Sequence, residues 1–235
     1  MTAGRDLALP RGAEKVAAVD AMFDRLAPRY DRMNRLISLG QDGRWRRHTV
    51  AALGLAPGAR VLDLACGTGD LCDDLDHAGH SPVGVDRSAG MLAAAHTAAP
   101  LVRGDALGLP FADGTLDGVV CGFALRNFVE LAPVLAECAR VLRPGGRLAA
   151  LDAAVPGHPV LRAGNALWFR GAVPVLGRVL AGDAEAYRYL PASTAYLPDP
   201  AALSGLLGEA GFESVRRRTF TGGSVQLLTG TRESR

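Results

Sequence analysis

The sequence predicts an α/β protein built on a mostly parallel β-sheet that helices cover on both faces. Between residues 60 and 155, short apolar runs alternate with segments of helical periodicity. The runs are continuously apolar rather than alternating with polar residues, which is typical of parallel strands buried on both sides. The 235 residues are enough for one domain with a full core.

The N-terminal part predicts helices that precede the sheet. Residues 1–15 are small and polar, and they predict a flexible terminus. From Val16 to about Ser38 apolar residues recur at helical spacing, and Pro28 divides this stretch into two helices. We therefore expect residues 16–235 to form a single domain that begins with a helical segment over 16–54.

The alternating part predicts five strands joined by helices and turns. "RPGG" at 143–146 predicts a turn before the last of these strands, and Gly79 is placed to end the first helix. The strands are predicted at 60–65, 81–86, 100–105, 116–125 and 147–155, and the helices at 69–79, 87–99 and 131–142.

The C-terminal part first interrupts the alternation and then completes the sheet. Residues 156–198 are rich in Pro, Gly, Trp and Tyr and predict an insert of helices. A helix follows over 199–212, with Asp199 as its N-cap and Pro200 in its first turn. The stretches "ESVRRRTF" and "GSVQLLTGTR", joined around "TGG", then predict two closing strands in a hairpin, which brings the sheet to seven strands.

Composition and charge exclude several classes of function. A net charge of +2 gives no electrostatic basis for binding nucleic acid. The four cysteines form no CxxC pair and have no histidine at metal-ligand spacing, so we expect free thiols, no metal and a reducing cytosol. No signal peptide and no apolar run of about 20 residues is present, and we expect a cytoplasmic protein.

The stretch "LDLACGTGD" (62–70) predicts a ligand site at the end of the first sheet strand. Gly67 and Gly69 let the backbone approach a ligand closely. A dinucleotide fingerprint requires a third glycine three residues later, but Cys72 stands there, and no GK[ST] follows for a P-loop. Because Asp70 fits poorly beside a phosphate, the turn favours a cationic ligand.

S-adenosylmethionine is such a ligand, since it carries a sulfonium and an ammonium but no phosphate. Asp63 can accept from the ammonium, and the Thr68 hydroxyl can bond to the methionine part. Asp86, at the end of the second strand, can bind the ribose hydroxyls, and Asp105 can bind the adenine amine. The residue pattern thus predicts a cofactor site formed by Asp63, Gly67, Thr68, Gly69, Asp86, Arg87, Met91, Asp105 and Ala106.

The chain resembles class I methyltransferases, and more narrowly the ubiquinone/menaquinone biosynthesis C-methyltransferases, over about residues 20–230. The resemblance implies a Rossmann-like, mostly parallel seven-stranded sheet with an N-terminal helical lid and a helical insert over the acceptor site. The stretches that carry it are "MFDRLAPRYDRMNRLISLGQDGRWRR" (22–47), "VLDLACGTGD" (61–70), "GFALRNF" (122–128), "VLRPGGRL" (141–148), "AEAYRYLPAS" (184–193) and "AGFESV" (210–215).

The resemblance implies methyl transfer from S-adenosylmethionine to a ring carbon of a demethylmenaquinol-like prenylated hydroquinone, in menaquinone biosynthesis. It implies Arg126 and Asn127 as catalytic residues beside the ring. Arg126 can stabilise a phenolate or orient a water, but it is a poor base. From spacing alone, Arg126 can equally pair with a carboxylate and Asn127 can cap the next helix. The resemblance adds Tyr30 and Gly122 to the cofactor site, and Tyr187 and Tyr189 to the acceptor site.

Two departures from the family pattern leave the acceptor open. Gly122 replaces a serine, and Asp152-Ala153-Ala154 replaces a Glu-Phe-Ser sequence at the border of the acceptor pocket. A different aromatic or polyketide acceptor is therefore the alternative. A protein that binds S-adenosylmethionine without catalysis is a third hypothesis. A nicotinamide oxidoreductase is a fourth, which the missing third glycine argues against.

The expected partner is a small aromatic or quinol acceptor. Residues 160–182 combine apolar residues with Arg162, Arg170 and Arg178, which are spaced to share one helical face. Such a segment predicts a lid helix over the active site, or alternatively a helix at the surface of the inner membrane. A homodimer is also left open.

Overall fold

A computed structural model describes residues 11–173, 189 and 192–234. Its centre is one seven-stranded sheet in the order β3-β2-β1-β4-β5-β7-β6. All described neighbours pair in parallel except β7, which runs antiparallel to β5 and β6. The sheet confirms the predicted fold class. The strands are β1 Arg60–Leu64, β2 Ser81–Asp86, β3 Leu101–Arg103, β4 Leu116–Gly122, β5 Leu142–Ala153, β6 Phe212–Phe220 and β7 Val225–Arg232.

The α-helices of the described ranges follow the predicted pattern. A single 3₁₀ turn that contains Pro28 separates the first two, and the carboxylate of Asp199 accepts bonds from two backbone N–H groups at the start of the last. The helices are α1 Gly12–Leu26, α2 Tyr30–Ile37, α3 Asp42–Leu53, α4 Asp70–His77, α5 Ala89–Ala93, α6 Leu131–Val141, α7 Pro159–Leu167 and α8 Pro200–Glu209.

Three boundaries differ from the prediction. Residues 12–15, predicted to be flexible, form the first turn of α1, and Lys15 is buried. The predicted helix 87–99 ends at Ala93, and the N–H of His96 instead donates to the carbonyl of Thr68. β5 begins before the predicted turn at 143–146. Its pairing with β4 jumps there, so the turn bulges out of a continuous strand.

The central strands of the sheet are buried on both faces, as their apolar runs predict, whereas the edge strand β6 is mostly exposed. Successive residues of β1 enter different cores: Leu62 and Leu64 pack with α6 and α8, whereas Val61 packs with α3 and α4. β4 and β5 alternate in the same way. Because both faces are covered by helices, a ligand can reach the strands only at their ends.

The N-terminal helices and the insert form a third cluster over the carboxyl ends of the strands. Met22, Leu26 and Met33 pack there with Val173 and Tyr189. The indole N–H of Trp168 donates to the carbonyl of Ile37 at 3.2 Å, which joins the insert to α2. None of the helices within the described ranges has the length and hydropathy that crossing a bilayer requires.

Candidate active site

Two cavities meet at the carboxyl ends of β1 and β4. The first, of about 470 Å³, extends between α1 and the ends of β1, β2 and β4. The second, of about 580 Å³, extends between α2, α3 and α7. Both volumes fall in the range of small-molecule sites. The residues that line both cavities, and so form the boundary that the cavities share, are Tyr30, Ala65, Gly67, Gly122 and Phe123.

Two residues of this shared boundary have backbone in the left-handed region. Ala65 has φ +57° and Phe123 has φ +58°, values that non-glycine residues adopt at an energetic cost. Each follows a sheet strand directly, and the N–H of Phe123 donates to the carbonyl of Leu151 at 2.7 Å. The sheet therefore holds the backbone in a sharp turn at the end of β1 and of β4.

Asp86 joins the glycine turn to the first cavity. One of its carboxylate oxygens accepts from the N–H of Gly67 and the other from the N–H of Ser88, both at 2.8 Å. Burial raises the pKa of this carboxyl despite those bonds. Each oxygen keeps a lone pair for a further donor, so Asp86 can bind a pair of hydroxyl groups.

The outer end of the first cavity is lined by an ion-pair chain. Arg87 pairs with Asp105 at 3.2 Å and with Asp20 of α1 at 3.0 Å. The second oxygen of Asp105 accepts from the N–H of Leu107 at 3.0 Å. These side chains are about half exposed, so they can rearrange around the edge of a base.

Asp63 supplies an unsatisfied acceptor below the glycine turn. It is 1 % exposed, and its Oδ1 has no hydrogen-bond partner among the described residues, while Oδ2 accepts from the Cys72 thiol at 3.5 Å. Burial raises the pKa of the carboxyl to about 8. A buried acceptor of this kind is stabilised by a cation, and the ammonium of S-adenosylmethionine fits it.

The surroundings of the glycine turn are acidic. Asp70 begins α4 beside the turn and pairs at 2.8 Å with Arg46, which also binds Asp42 and Asp74 at 2.8 Å each. One guanidinium thus faces three carboxylates, and burial raises the pKa of Asp70. This excess of negative charge favours a cationic ligand over a phosphate.

The second cavity combines an apolar wall with one buried ion pair. Arg126 and Asp152 are 6 % and 0 % exposed, and the guanidinium donates to the carboxylate and also to the hydroxyl of Ser193. The backbone N–H of Arg126 donates to the other carboxylate oxygen at 3.1 Å. The apolar side chains around the pair include Ile37, Trp45, Leu71, Phe123, Trp168, Phe169 and Val225.

The comparison of the sequence with known families decides the relationship. The profile of the ubiE/COQ5 methyltransferase family matches residues 11–232. The chain belongs to this family. It is therefore a methyltransferase, and its methyl donor is S-adenosylmethionine, as the glycine turn and its acidic neighbours predict.

Curated relatives in the family cover almost the whole chain. The demethylmenaquinone methyltransferase of Mycolicibacterium paratuberculosis is 43% identical over 92% of this chain and 95% of its own length. The enzyme of the same name from Roseiflexus sp. strain RS-1 is 40% identical over 94% of this chain and 96% of its own length.

Solved structures confirm the fold. A SAM-dependent methyltransferase of Thermotoga maritima superposes with a TM-score of 0.64 at 19% identity, over 91% of this chain and 99% of that one. Phosphoethanolamine N-methyltransferase 2 of Haemonchus contortus, solved in complex with S-adenosyl-L-methionine, gives 0.65 at 13% identity, over 90% of this chain and 60% of that one. The predicted class I methyltransferase fold is thereby confirmed.

The structure brings most of the predicted cofactor residues of this family member together, but it divides them between the cavities. Thr68 and Asp63 line the second cavity only. The Thr68 hydroxyl donates to Asp31 of α2 at 2.6 Å rather than facing the first cavity. Those that line the first cavity are Tyr30, Gly67, Asp86, Arg87, Met91, Asp105, Ala106 and Gly122.

Gly69 lines neither cavity, and contact of its backbone with the ligand stays a prediction. It is the N-cap of α4 and has φ +94°, and an added Cβ would collide with Cγ2 of Thr97. Its requirement for glycine is conformational: it sets the sharp entry of the chain into α4.

The predicted catalytic pair is split between the two cavities. Arg126 lines the second and takes the carboxylate partner that its spacing allowed, Asp152. Asn127 lines the first and does not cap α6, whose N-cap is Glu130. The hydroxyl of Tyr189 donates to the amide oxygen of Asn127 at 3.2 Å.

The predicted acceptor residues have different outcomes. Tyr189 lines neither cavity but packs in the third cluster, so it touches the site only through its bond to Asn127. Tyr187 lies outside the described residues, as does Arg178 of the arginine face predicted over 160–182. Arg162 turns back to the carbonyls of Pro156 and Gly157. α7 lines the second cavity, which agrees with the lid interpretation.

Sequence reasoning missed an anchor of the N-terminal helices. Asp24 of α1 accepts from the hydroxyl of Ser88 at 2.5 Å and from the N–H of Gly90 at 2.9 Å. Gly90 is small by necessity, because an added Cβ would lie 2.9 Å from the backbone of Asp24. The signal was the serine that caps α5, but its distant partner could not be read from the chain.

Proposed function

We propose that this protein transfers a methyl group from S-adenosylmethionine, bound in the first cavity, to a ring carbon of a demethylmenaquinol-like hydroquinone in the second. The observation that carries the proposal is that the two cavities adjoin at the ends of β1 and β4, where the same residues line both. Relatives at about 43% identity are named demethylmenaquinone methyltransferases, and they match nearly full length.

In the proposed donor site, each part of S-adenosylmethionine meets one carboxylate. Asp105 meets the adenine amine and Asp86 the ribose hydroxyls in the first cavity. The methionine part reaches beyond the residues that both cavities share, so that its ammonium meets the free Oδ1 of Asp63, which lines the second cavity. When bound, the cofactor supplies a methyl group on a sulfonium, which a nucleophilic carbon can displace in line. Binding in the first cavity directs that methyl group towards the shared boundary at Gly122 and Phe123.

The second cavity is suited to a planar ring with an apolar tail. Its wall is mostly apolar, and two arginines line it: Arg46, which three carboxylates already bind, and the buried Arg126. Asp152 holds the guanidinium in place, so the positive charge is ready where a phenol oxygen loses its proton. We propose that Arg126 stabilises the phenolate and that the amide of Asn127, fixed by Tyr189, orients the ring beside the donor.

An assay with a short-chain demethylmenaquinol tests the reaction. Purified protein, S-adenosylmethionine and the reduced acceptor are expected to give the acceptor plus one methylene unit and one S-adenosylhomocysteine per turnover, measured by mass spectrometry. The Arg126→Lys variant keeps a charge for Asp152 but loses the planar fork. It is expected to bind S-adenosylhomocysteine normally and to turn over at least tenfold more slowly. Normal turnover of this variant would refute the assignment.

A soluble aromatic acceptor is the second candidate, because Ala153 lines the second cavity. A methyl side chain at this position leaves room for a ring with additional substituents. A panel of phenolic and polyketide acceptors, assayed beside the quinol, separates the two candidates. Faster turnover of a soluble acceptor would replace the quinol in the proposal.

We further propose that the mouth of the second cavity contacts the membrane that holds a prenylated acceptor. Val160, Leu39 and Leu167 are 71 %, 65 % and 76 % exposed, and the first two line the cavity. An added Cβ on Gly222 would lie 3.2 Å from Leu161, so the turn after β6 lies beside α7, and the exposed arginines 216–218 precede that turn in β6. Apolar groups beside cations suit an anionic bilayer.

Vesicle sedimentation tests this contact. The protein is expected to bind vesicles of phosphatidylglycerol more strongly than vesicles of phosphatidylcholine. Changing both Val160 and Leu167 to Ser should reduce that binding, whereas Leu107→Ser, at an exposed site away from the mouth, should not. Equal binding of all three proteins would count against the contact.

We propose that one outer segment of the single domain covers the donor and that the other borders the acceptor. Residues 16–54 form the lid over the donor, since α1 lines the first cavity and is tied to Ser88 and Arg87. The described part of 156–198 borders the acceptor cavity through α7.

A further inference from the structure

The only lysine of this chain lies buried between the lid and the turn that carries Arg126 and Asn127. Lys15 is 3 % exposed, in a sequence whose other 25 basic residues, out of 26, are arginines. Its position follows from helical spacing, because Lys15, Val19, Met22 and Leu26 form one stripe of α1 that faces inward. A long cationic side chain is rarely placed inside a stripe of this kind unless specific acceptors receive it.

The acceptors are backbone carbonyls of the turn after β4. The ammonium of Lys15 donates to the carbonyl of Arg126 at 2.9 Å and to that of Phe128 at 2.7 Å, and it lies 3.6 Å from the ring centre of Tyr196. The two carbonyls stand on either side of Asn127 along the chain. They fix the peptide planes that orient the two side chains at the cavities.

The turn is thus held from two directions. On the sheet side, Asp152 binds the backbone N–H and the guanidinium of Arg126. On the lid side, Lys15 is the group that reaches it from α1. The rest of α1 is tied elsewhere, through Asp20 to Arg87 and through Asp24 to Ser88. Those two anchors hold the lid over the donor, whereas the lysine contact reaches the reacting end.

We propose that Lys15 is a positioning residue for methyl transfer: from the lid helix, it holds the turn 125–128 so that Arg126 and Asn127 face the reacting atoms. The inference rests on the proposed function, which assigns those two residues to the acceptor. Seating of the lid over the donor and alignment of the acceptor are then linked through one side chain. Loss of the lysine should lower kcat and leave donor affinity to the other anchors.

Two variants in the same turn of α1 test the split between binding and turnover. Lys15→Met keeps the length and removes the donors. It is expected to lower kcat at least tenfold, while the Kd for S-adenosylhomocysteine changes less than threefold. Glu14→Gln, on the exposed side of the helix, is expected to change neither value. A Lys15→Met enzyme with kcat within twofold of wild type, or with its whole loss in donor affinity, would overturn the proposal.

Amine labelling of the wild-type protein provides a second measurement that needs no folded variant. The only targets are Lys15 and the N-terminal amine, which peptide mass spectrometry separates. Lys15 is 3 % exposed in the closed protein, so its amine reacts with an acylating ester when the lid lifts and exposes it. S-adenosylhomocysteine is expected to slow acylation of Lys15 at least tenfold relative to the terminus. An unchanged relative rate would contradict the link between lid and turn.

The two arms separate this inference from the proposed acceptor. Protection of Lys15 depends on donor binding alone, so it persists even when the quinol is not turned over. Absence of turnover together with protection would reject the quinol and keep the lysine contact. Turnover of the quinol without protection of Lys15 would support the quinol as acceptor and reject the role of the lysine contact.

Discussion

Binding of the donor should release a proton from Asp63. The carboxyl is buried with one free oxygen, and its pKa of about 8 means that it is mostly protonated at pH 7 in the free protein. An ammonium group beside Oδ1 stabilises the charged form and lowers that pKa. The proton must then leave as the ligand binds, because the ligand binds the ionised carboxylate more tightly than the protonated form and therefore shifts the protonation equilibrium.

The size of the effect follows from the pKa. At pH 7 a carboxyl with a pKa of about 8 is ~90% protonated, so full ionisation in the complex releases about 0.9 proton per ligand. Affinity for S-adenosylhomocysteine should therefore rise about ninefold between pH 6 and pH 7. The sign is set by the acid: a proton that must leave on binding makes higher pH favour the complex.

Titration calorimetry in buffers of different ionisation enthalpy measures the released protons directly. Asp63→Asn keeps the shape and cannot ionise, so its proton release at pH 7 should fall close to zero. Asp105→Asn, at the adenine end, should weaken binding but keep the release. Release below about 0.3 proton in the wild type, or equal release in Asp63→Asn, would refute the reasoning.

Further predictions concern stability. Without ligand, Asp63→Asn should be more stable than wild type at pH 8 and similar at pH 4, because a raised pKa in the folded state weakens folding as pH rises from about 4 towards 8; urea unfolding at both pH values checks this. Asp152→Asn should cost about 3–5 kcal/mol of unfolding free energy, because Arg126 is left buried without its counter-charge. Gly69→Ala should destabilise more than Gly58→Ala in thermal unfolding, since both have positive φ but only Gly69 is crowded. Asp199→Ala should cost about 1 kcal/mol and leave turnover unchanged, because only the N-cap of α8 is lost.

Much of the fold was predictable because the sheet is buried on both faces. Continuous apolar runs with glycine turns between them leave few alternatives to a parallel sheet, and the closing hairpin was confirmed at its predicted turn. The helix boundaries that failed depend on distant contacts. α1 begins early because Lys15 finds carbonyls more than a hundred residues away, and no local pattern carries that information.

The candidate site was predictable in its chemistry and less so in its geometry. Acidic residues at strand ends indicated a cation, and the free oxygen of Asp63 agrees with that reading. The sequence could not show that Thr68 faces α2, or that a side chain at Gly69 would collide with Thr97. Those outcomes depend on which neighbour lies within about 3 Å, and elements distant in sequence set that.

By itself, the sequence determined the class of fold and the methyl donor, because periodicity and the spacing of acidic residues are local properties of a chain. Its resemblance to known sequences indicated the family. Only the tertiary structure decided how the site is divided. It set Arg126 against Asp152 in one cavity and Asn127 in the other, and it joined both to the lid through Lys15. Packing made these choices, since a buried charge must take whatever partner the fold brings within reach.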